Sequence, residues 1–248
     1  MTKILYLVPG LMERREQSRR EKIANTWVSN GVSVEVKAVD DGPISIESSV
    51  EEDIAAGSVL RTIVRLQKGY DAIVLGCAGD PGLRAAKELA KIPVIGPAEA
   101  TIAFSFLIGD RFGMIVPLDR DIPTMRALTV KYGFDSKLAS VRAVNIPVLD
   151  LGKNIELISE RVTEACNKAV EEGADVIVLG CMSLAFILAD ELVKDTVRVP
   201  VLNPAKIAIK TAEVLAQLKL TQSRASYPLA DYEKLAKSVF KEELKNGF

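Results

Sequence analysis

The chain has 248 residues, 48% of them apolar and 26% charged, with a formal net charge of −1. That balance suits a globular protein of one large domain or two of about 100–125 residues, and offers no basic surface for nucleic acid or an anionic membrane. Histidine is absent, which excludes Ser-His-Asp triads, Cys-His pairs and zinc sites built on paired histidines, so proton chemistry falls to Cys, Asp, Glu, Lys or Tyr.

Thr2 to Val8 is apolar and reads as a buried parallel strand, with no basic leader or cleavage site around it. Pro9-Gly10 ends it. Glu13 to Asn30 is charged with an apolar stripe at Ile23, Trp27 and Val28, a surface helix closed by Asn30-Gly31. Val32 to Val39 reads as a strand, Asp40 to Pro43 as a loop, and Ile54 to Gln67 as a helix; Ile44 to Glu52 shows no single pattern. A strand is expected at Ala72 to Leu75, a helix at Pro81 to Ala90 with proline in its first turn, and a short strand at Val94-Ile95. The pattern then restarts. Ala98 to Leu107 is an apolar helix; the weakly polar stretch around it, Ile95 to Gly109, is short and interrupted by Glu99, so no membrane-crossing helix is expected. Strands follow at Phe112–Val116, Ala139–Ala143, Val176–Leu179 and Val199–Leu202. Helices are expected at Ile122–Tyr132, Asn154–Glu172, Leu184–Val193 and Ala205–Leu218. Thr221 to Pro228 is a polar link. Tyr232 to Lys245 is an amphipathic helix with Leu235, Val239, Phe240 and Leu244 apolar, fit for docking on the body or for a dimer contact.

Strands alternating with helices imply parallel sheets with right-handed crossovers. The order also repeats. Ala72-Ile73-Val74-Leu75-Gly76-Cys77 is answered by Val176-Ile177-Val178-Leu179-Gly180-Cys181, and Pro93-Val94-Ile95-Gly96-Pro97-Ala98 by Pro200-Val201-Leu202-Asn203-Pro204-Ala205. A period of roughly 105 residues is far too long for a solenoid. The expected fold is α/β: two similar doubly wound parallel-sheet lobes related by pseudo-two-fold symmetry, with the site in the cleft between them. Lobe 1 is assigned to 1–97 with 204–220 returning to it, lobe 2 to 98–203, and 221–248 to the link and last helix.

Ligands of open α/β sheets bind beyond the carboxyl ends of the strands, where both Gly-Cys pairs fall. The glycine lets backbone or ligand approach closely, and a helix opening after each cysteine favours its thiolate. Two thiols at matching places point to racemisation without a cofactor: one takes a proton from a carbon, the other returns one to the opposite face. Cys166, inside a helix, reads as packing. Other motifs carry less. Glu47 and Asp80 fit either local caps or substrate contacts. Gly76-x-x-Gly79-x-x-Gly82 lacks the start of a dinucleotide fingerprint, and no P-loop is present.

Over roughly residues 3–218 the chain resembles the aspartate/glutamate/hydantoin racemase superfamily, and within it the hydantoin and allantoin racemase branch. The resemblance is carried by Gly42-Pro43-Ile44-Ser45-Ile46-Glu47, Gly76-Cys77-Ala78-Gly79-Asp80-Pro81-Gly82-Leu83 and Val178-Leu179-Gly180-Cys181, with Asp121-Ile122-Pro123 and Lys131-Tyr132-Gly133-Phe134 in support. It implies a two-lobed fold and catalytic roles for Cys77 and Cys181. Substrate contacts are expected from Pro9, Gly10, Ile44, Ser45, Ala78 and Gly79 in the first half, and from Val116, Pro117, Met182 and Ser183 in the second.

The chain departs from the branch in three places. Val8-Pro9-Gly10-Leu11 stands where the branch usually has Asn-Pro-Asn-Thr, Val116-Pro117 where it has Thr-Thr, and Gly180-Cys181-Met182-Ser183 where Cys-Ala-Gly is usual. The expected activity is thus racemisation of a 5-substituted hydantoin, with Val8, Leu11, Val116 and Pro117 favouring apolar substituents. Two other readings stand beside it: an aspartate or glutamate racemase, and a non-catalytic small-molecule-binding protein on the same fold. The expected partner is a small-molecule substrate, with no metal, cofactor, nucleic acid or membrane. A homo-oligomer is expected, in a reducing cytoplasm, which three widely spaced cysteines suit.

Overall fold

The computed structural model describes residues 1–240. β1 (Thr2–Val8) is buried from Ile4 onward, because it is an inner strand of a sheet covered on both faces. α1 (Arg14–Asn25) leads to β2 (Val32–Ala38), α2 (Ser49–Leu66) to β3 (Ala72–Leu75), and α3 (Leu83–Leu89) to β4 (Val94–Ile95). These strands pair in parallel in the order β2-β1-β3-β4. After α4 (Pro97–Ser105) come β5 (Phe112–Val116), α5 (Ile122–Lys131), β6 (Leu138–Ala143), α6 (Ile155–Glu171) and β7 (Val176–Leu179). α7 (Met182–Phe186), α8 (Ala189–Leu192) and β8 (Val201–Leu202) complete the second unit. Its order, β6-β5-β7-β8, matches the first strand for strand. α9 (Pro204–Gln217) packs on β1, β3 and β4, and α10 (Tyr232–Ser238) follows. Among the described residues no helix is long and apolar enough to cross a membrane.

Each sheet is sandwiched between two apolar layers. On the first, Ile4, Tyr6 and Val8 meet residues of α1, α7 and α9, while Leu5, Leu7 and Ile73 meet α2 and α3. On the second, Ile115, Ile177 and Leu179 meet α6, and Phe112, Met114 and Val116 meet α4 and α5. The halves are tied by α7. Although it follows β7, its Phe186 ring stands edge-on to Tyr6 of β1, with centroids 5.3 Å apart, and lies 5.5 Å from Trp27.

Caps set several boundaries. Ser48 caps α2 by accepting the Glu51 N–H, and Asn154 caps α6 by accepting that of Leu157. Ile44 to Glu52 thus resolves into a loop ending at Ser48 and the first turn of α2. Several expected helices are shorter or broken, α10 among them, which ends at Ser238 with Phe240 already outside it. α1 stops at Asn25, whose side chain bonds both backbone groups of Val34 on β2, so Trp27 and Val28 pack from the following turn. α3 opens two residues after Pro81, because Asp80 and Gly82 take left-handed backbone (φ 52° and 67°). The helix expected over Leu184–Val193 splits at Leu188 (φ 59°), and Asn203 donates to the carbonyl of Ala185 before the break. In α10, Leu235 packs with the buried Phe240 against Ile63, Leu89 and Val94, so this helix docks on the body; Leu244 and Lys245 lie outside the described residues.

Candidate active site

The two Gly-Cys corners are shaped by close backbone approach. The Gly76 N–H donates to the Leu7 carbonyl at 2.7 Å and that of Gly180 to the Ile115 carbonyl at 2.6 Å. A Cβ on Gly76 would lie 2.8 Å from the Leu7 oxygen; one on Gly180 would lie 2.9 Å from Val116 Cγ1. Glycine therefore lets the chain leave the inner strand directly over its neighbour. Each next residue, Cys77 or Cys181, is delivered to the carboxyl edge of its sheet.

Both cysteines line one cleft of about 1130 Å³, walled by both halves of the chain. Of the residues expected at the substrate, Pro9, Gly10, Ile44, Ser45, Ala78 and Gly79 line it from the first half, and Pro117, Met182 and Ser183 from the second. Val116 does not. Its side chain is fully buried with Phe112 and Met114 under α4 and α5, because alternate residues of a strand share a face. Cys166 is fully buried among Val162, Ala169 and Ile177, away from the cleft.

Glu47 and Asp80 separate into distinct roles. The Glu47 carboxylate lies on the cleft and accepts the Val148 N–H of the other half at 2.8 Å. Asp80 is a strut behind the wall. It accepts the N–H groups of Ala98 and Glu99 at the start of α4 and the Tyr132 hydroxyl at 2.6 Å. Burial outweighs those bonds and pushes its carboxyl up to about 7.

The two thiols differ in surroundings. Burial pushes Cys77 up to about 12; the Gly79 N–H, 3.4 Å from its sulfur, opposes the shift, while Cys181, Glu52 and Asp80 reinforce it. Burial raises Cys181 as well, but the N–H groups of Leu184 and Ser183 and the charge of Arg20 all favour its thiolate. Cys181 thus has more groups favouring its thiolate than Cys77 has. The nearby Glu52 carboxyl is half-buried, is raised by desolvation and by Asp53, and has no hydrogen-bond partner among the described residues.

Val8, Leu11 and Pro117 line the cleft, and Glu16, Arg20, Glu52 and Asp121 stand beside them. Arg20 is the residue that sequence reasoning missed. It is 7% exposed and donates to Glu16 and, across the halves, to Ser183 Oγ. A signal was present: position 20 extends the helical stripe of Ile23 and Trp27, where an arginine is out of place.

Residues 19–212 match the family model described as Asp/Glu/Hydantoin racemase. The chain belongs to the Asp/Glu/hydantoin racemase family. Within the curated proteins, this racemase is 37% identical to a hydantoin racemase of Rhizobium meliloti over 71% of the chain and 73% of the relative. It is 34% identical to a hydantoin racemase of Paenarthrobacter aurescens over 82% of the chain and 86% of the relative. Among solved structures, an allantoin racemase from Klebsiella pneumoniae superposes on this racemase with a TM-score of 0.85 and 32% identity. That match covers 93% of this chain and 94% of the other.

Proposed function

We propose that this racemase inverts the C5 centre of 5-substituted hydantoins by proton transfer between Cys77 and Cys181, without a cofactor. The observation that carries the reading is the pair of thiols, one from each half at matching strand ends, on the wall of a single cleft. Racemisation needs an acid and a base of the same type, because the reverse reaction exchanges their roles. The hydantoin ring suits a thiolate, a modest base, since loss of the C5 proton spreads charge into a planar ring carbonyl. The hydantoin racemases of Rhizobium meliloti and Paenarthrobacter aurescens and the allantoin racemase of Klebsiella pneumoniae support this ring as the substrate class.

In the forward step the Cys181 thiolate takes the C5 proton: the C–H bond breaks, an S–H bond forms, and the electron pair moves toward the carbonyl oxygen. The Cys77 thiol then gives its proton to C5 from the other face, which leaves Cys77 as the thiolate poised for the opposite enantiomer. Backbone N–H groups near Ala78 and Met182, together with Ser45, would hold the ring, while the Gly79 N–H serves the Cys77 sulfur. The test is optical rotation and C5 deuterium uptake in heavy water, across 5-substituted hydantoins and free aspartate and glutamate. The reading expects racemisation of hydantoins with deuterium in the product. Turnover confined to the free amino acids, or none with any hydantoin, would overturn it.

A further inference from the structure

Arg20 has a buried guanidinium with unused donors beside the candidate reaction centre. Its Nε donates to Glu16 at 2.8 Å and its Nη2 to Ser183 Oγ at 3.3 Å, two residues beyond Cys181. The guanidinium carbon lies 5.0 Å from the centre of the Phe186 ring. Nη1 has no hydrogen-bond partner among the described residues. Glu16 does not neutralise the cluster, because Arg19 engages both of its oxygens as well. Two guanidinium groups therefore share one carboxylate, and a positive charge is left over on the cleft wall.

A second observation lies beneath it. Tyr6 is fully buried, and the groups acting on its hydroxyl are Arg20, by charge and by hydrogen bonding, and both thiols. The loop after β1, Val8-Pro9-Gly10-Leu11, brings no side-chain donor to the cleft. Loss of a proton next to a carbonyl builds negative charge on the carbonyl oxygen, and that charge needs a preorganised donor in a water-poor site.

We propose that Arg20 is the oxyanion-binding residue of this site, its free Nη1 N–H groups receiving the substrate carbonyl oxygen as the proton passes to a thiolate. The proposal rests on the two-thiol reading above. It assigns the charge-stabilising role to the first helix rather than to the loop after β1. Arg20 holds this place through Glu16 and Phe186, and its bond to Ser183 sets it against the segment that carries Cys181.

The experiment compares binding of two small ring probes to the full chain by calorimetry. Barbiturate is planar and an enolate anion at neutral pH; 5,5-dimethylhydantoin is neutral there and has no C5 proton to lose. The wild type is expected to prefer barbiturate by about tenfold or more, and Arg20→Met to lose that preference while binding of dimethylhydantoin changes less than about threefold. Arg20→Lys, which keeps the charge without the fork, is expected to fall between them. A wild type without preference for the anion overturns the proposal, and that measurement does not depend on how the variants fold. Equal weakening of both probes in Arg20→Met also overturns it, leaving Arg20 a bridge between Phe186 and Ser183. Hydantoin turnover is scored separately: anion selectivity lost in Arg20→Met with no hydantoin turnover in the wild type rejects the substrate class and leaves the anion site standing.

Discussion

Cys77 and Cys181 are the same residue type in unlike electrostatic surroundings, and this sets the expected pH behaviour. Burial raises both thiols, so the base form is scarce at neutral pH. kcat/KM is therefore expected to climb from pH 6 upward as the first of the two thiols ionises. The falling limb waits for loss of the second proton, which burial holds far above neutrality, the Cys77 thiol being pushed up to about 12. A bell-shaped profile with both limbs below pH 8 would contradict this assignment. Cys77→Ser and Cys181→Ser are each expected to lower kcat/KM by about 10²–10⁴-fold, since an alcohol is a far poorer base than a thiol. Cys166→Ser is the internal control. It should retain turnover per folded molecule, yet lose about 1–3 kcal/mol of stability in urea titrations, because it puts a hydroxyl into the apolar cluster of Val162 and Ile177.

At the scale of elements, the corners between inner strands and cysteines do the positioning. The atoms a Gly76 Cβ would strike, the Leu7 carbonyl oxygen and Val8 Cα at 2.8 and 2.9 Å, are backbone of β1 and cannot rotate away. At Gly180 the nearest atom is Val116 Cγ1, a side chain, with the Ile115 oxygen at 3.1 Å. Gly76→Ala is thus expected to destabilise the protein by about 1–3 kcal/mol and Gly180→Ala by less, measured as shifts in Tm. Turnover should drop in both, since each corner aims a thiol. Equal Tm losses would show that β1 moves as freely as the Val116 side chain. The Asp80 strut works at the same scale. Three residues after Cys77, it fastens the cysteine loop to the start of α4 and to Tyr132 at the end of α5.

Across the whole molecule, the halves meet through a few specific links and one large cleft. α7 plants Phe186 against Tyr6 and Trp27, and Arg20 reaches Ser183. Near the thiols, Glu47 of the loop before α2 takes the Val148 N–H from the loop before α6, and both loops line the cleft. This bond joins two walls that must hold a substrate between them. Glu47→Ala is expected to raise KM by about five- to tenfold with kcat nearly unchanged, the loss of one charge-assisted hydrogen bond. A fall in kcat at constant KM would place Glu47 in the chemistry instead.

The amino-acid sequence by itself determined the two parallel sheets, through unbroken apolar runs at inner strands such as Ile73–Leu75 and Ile177–Leu179. It also placed a Gly-Cys pair at each strand end, because burial and chain reversal are local demands written into neighbouring residues. Tertiary structure alone decided what faces the cleft. Val116 turns into the core while Pro117, one residue on, reaches the wall; Asp80 becomes a strut, and the helix after Cys181 breaks at Leu188 to re-enter the core through Ala189. Arg20 gains its meaning only where α1 of one half lies beside the start of α7 of the other, residues 163 positions apart in the chain. The helical stripe of α1 marks position 20 as inward-facing but not what it meets: that follows from how two separately encoded sheets pack, and side-chain spacing along one element carries no record of the other.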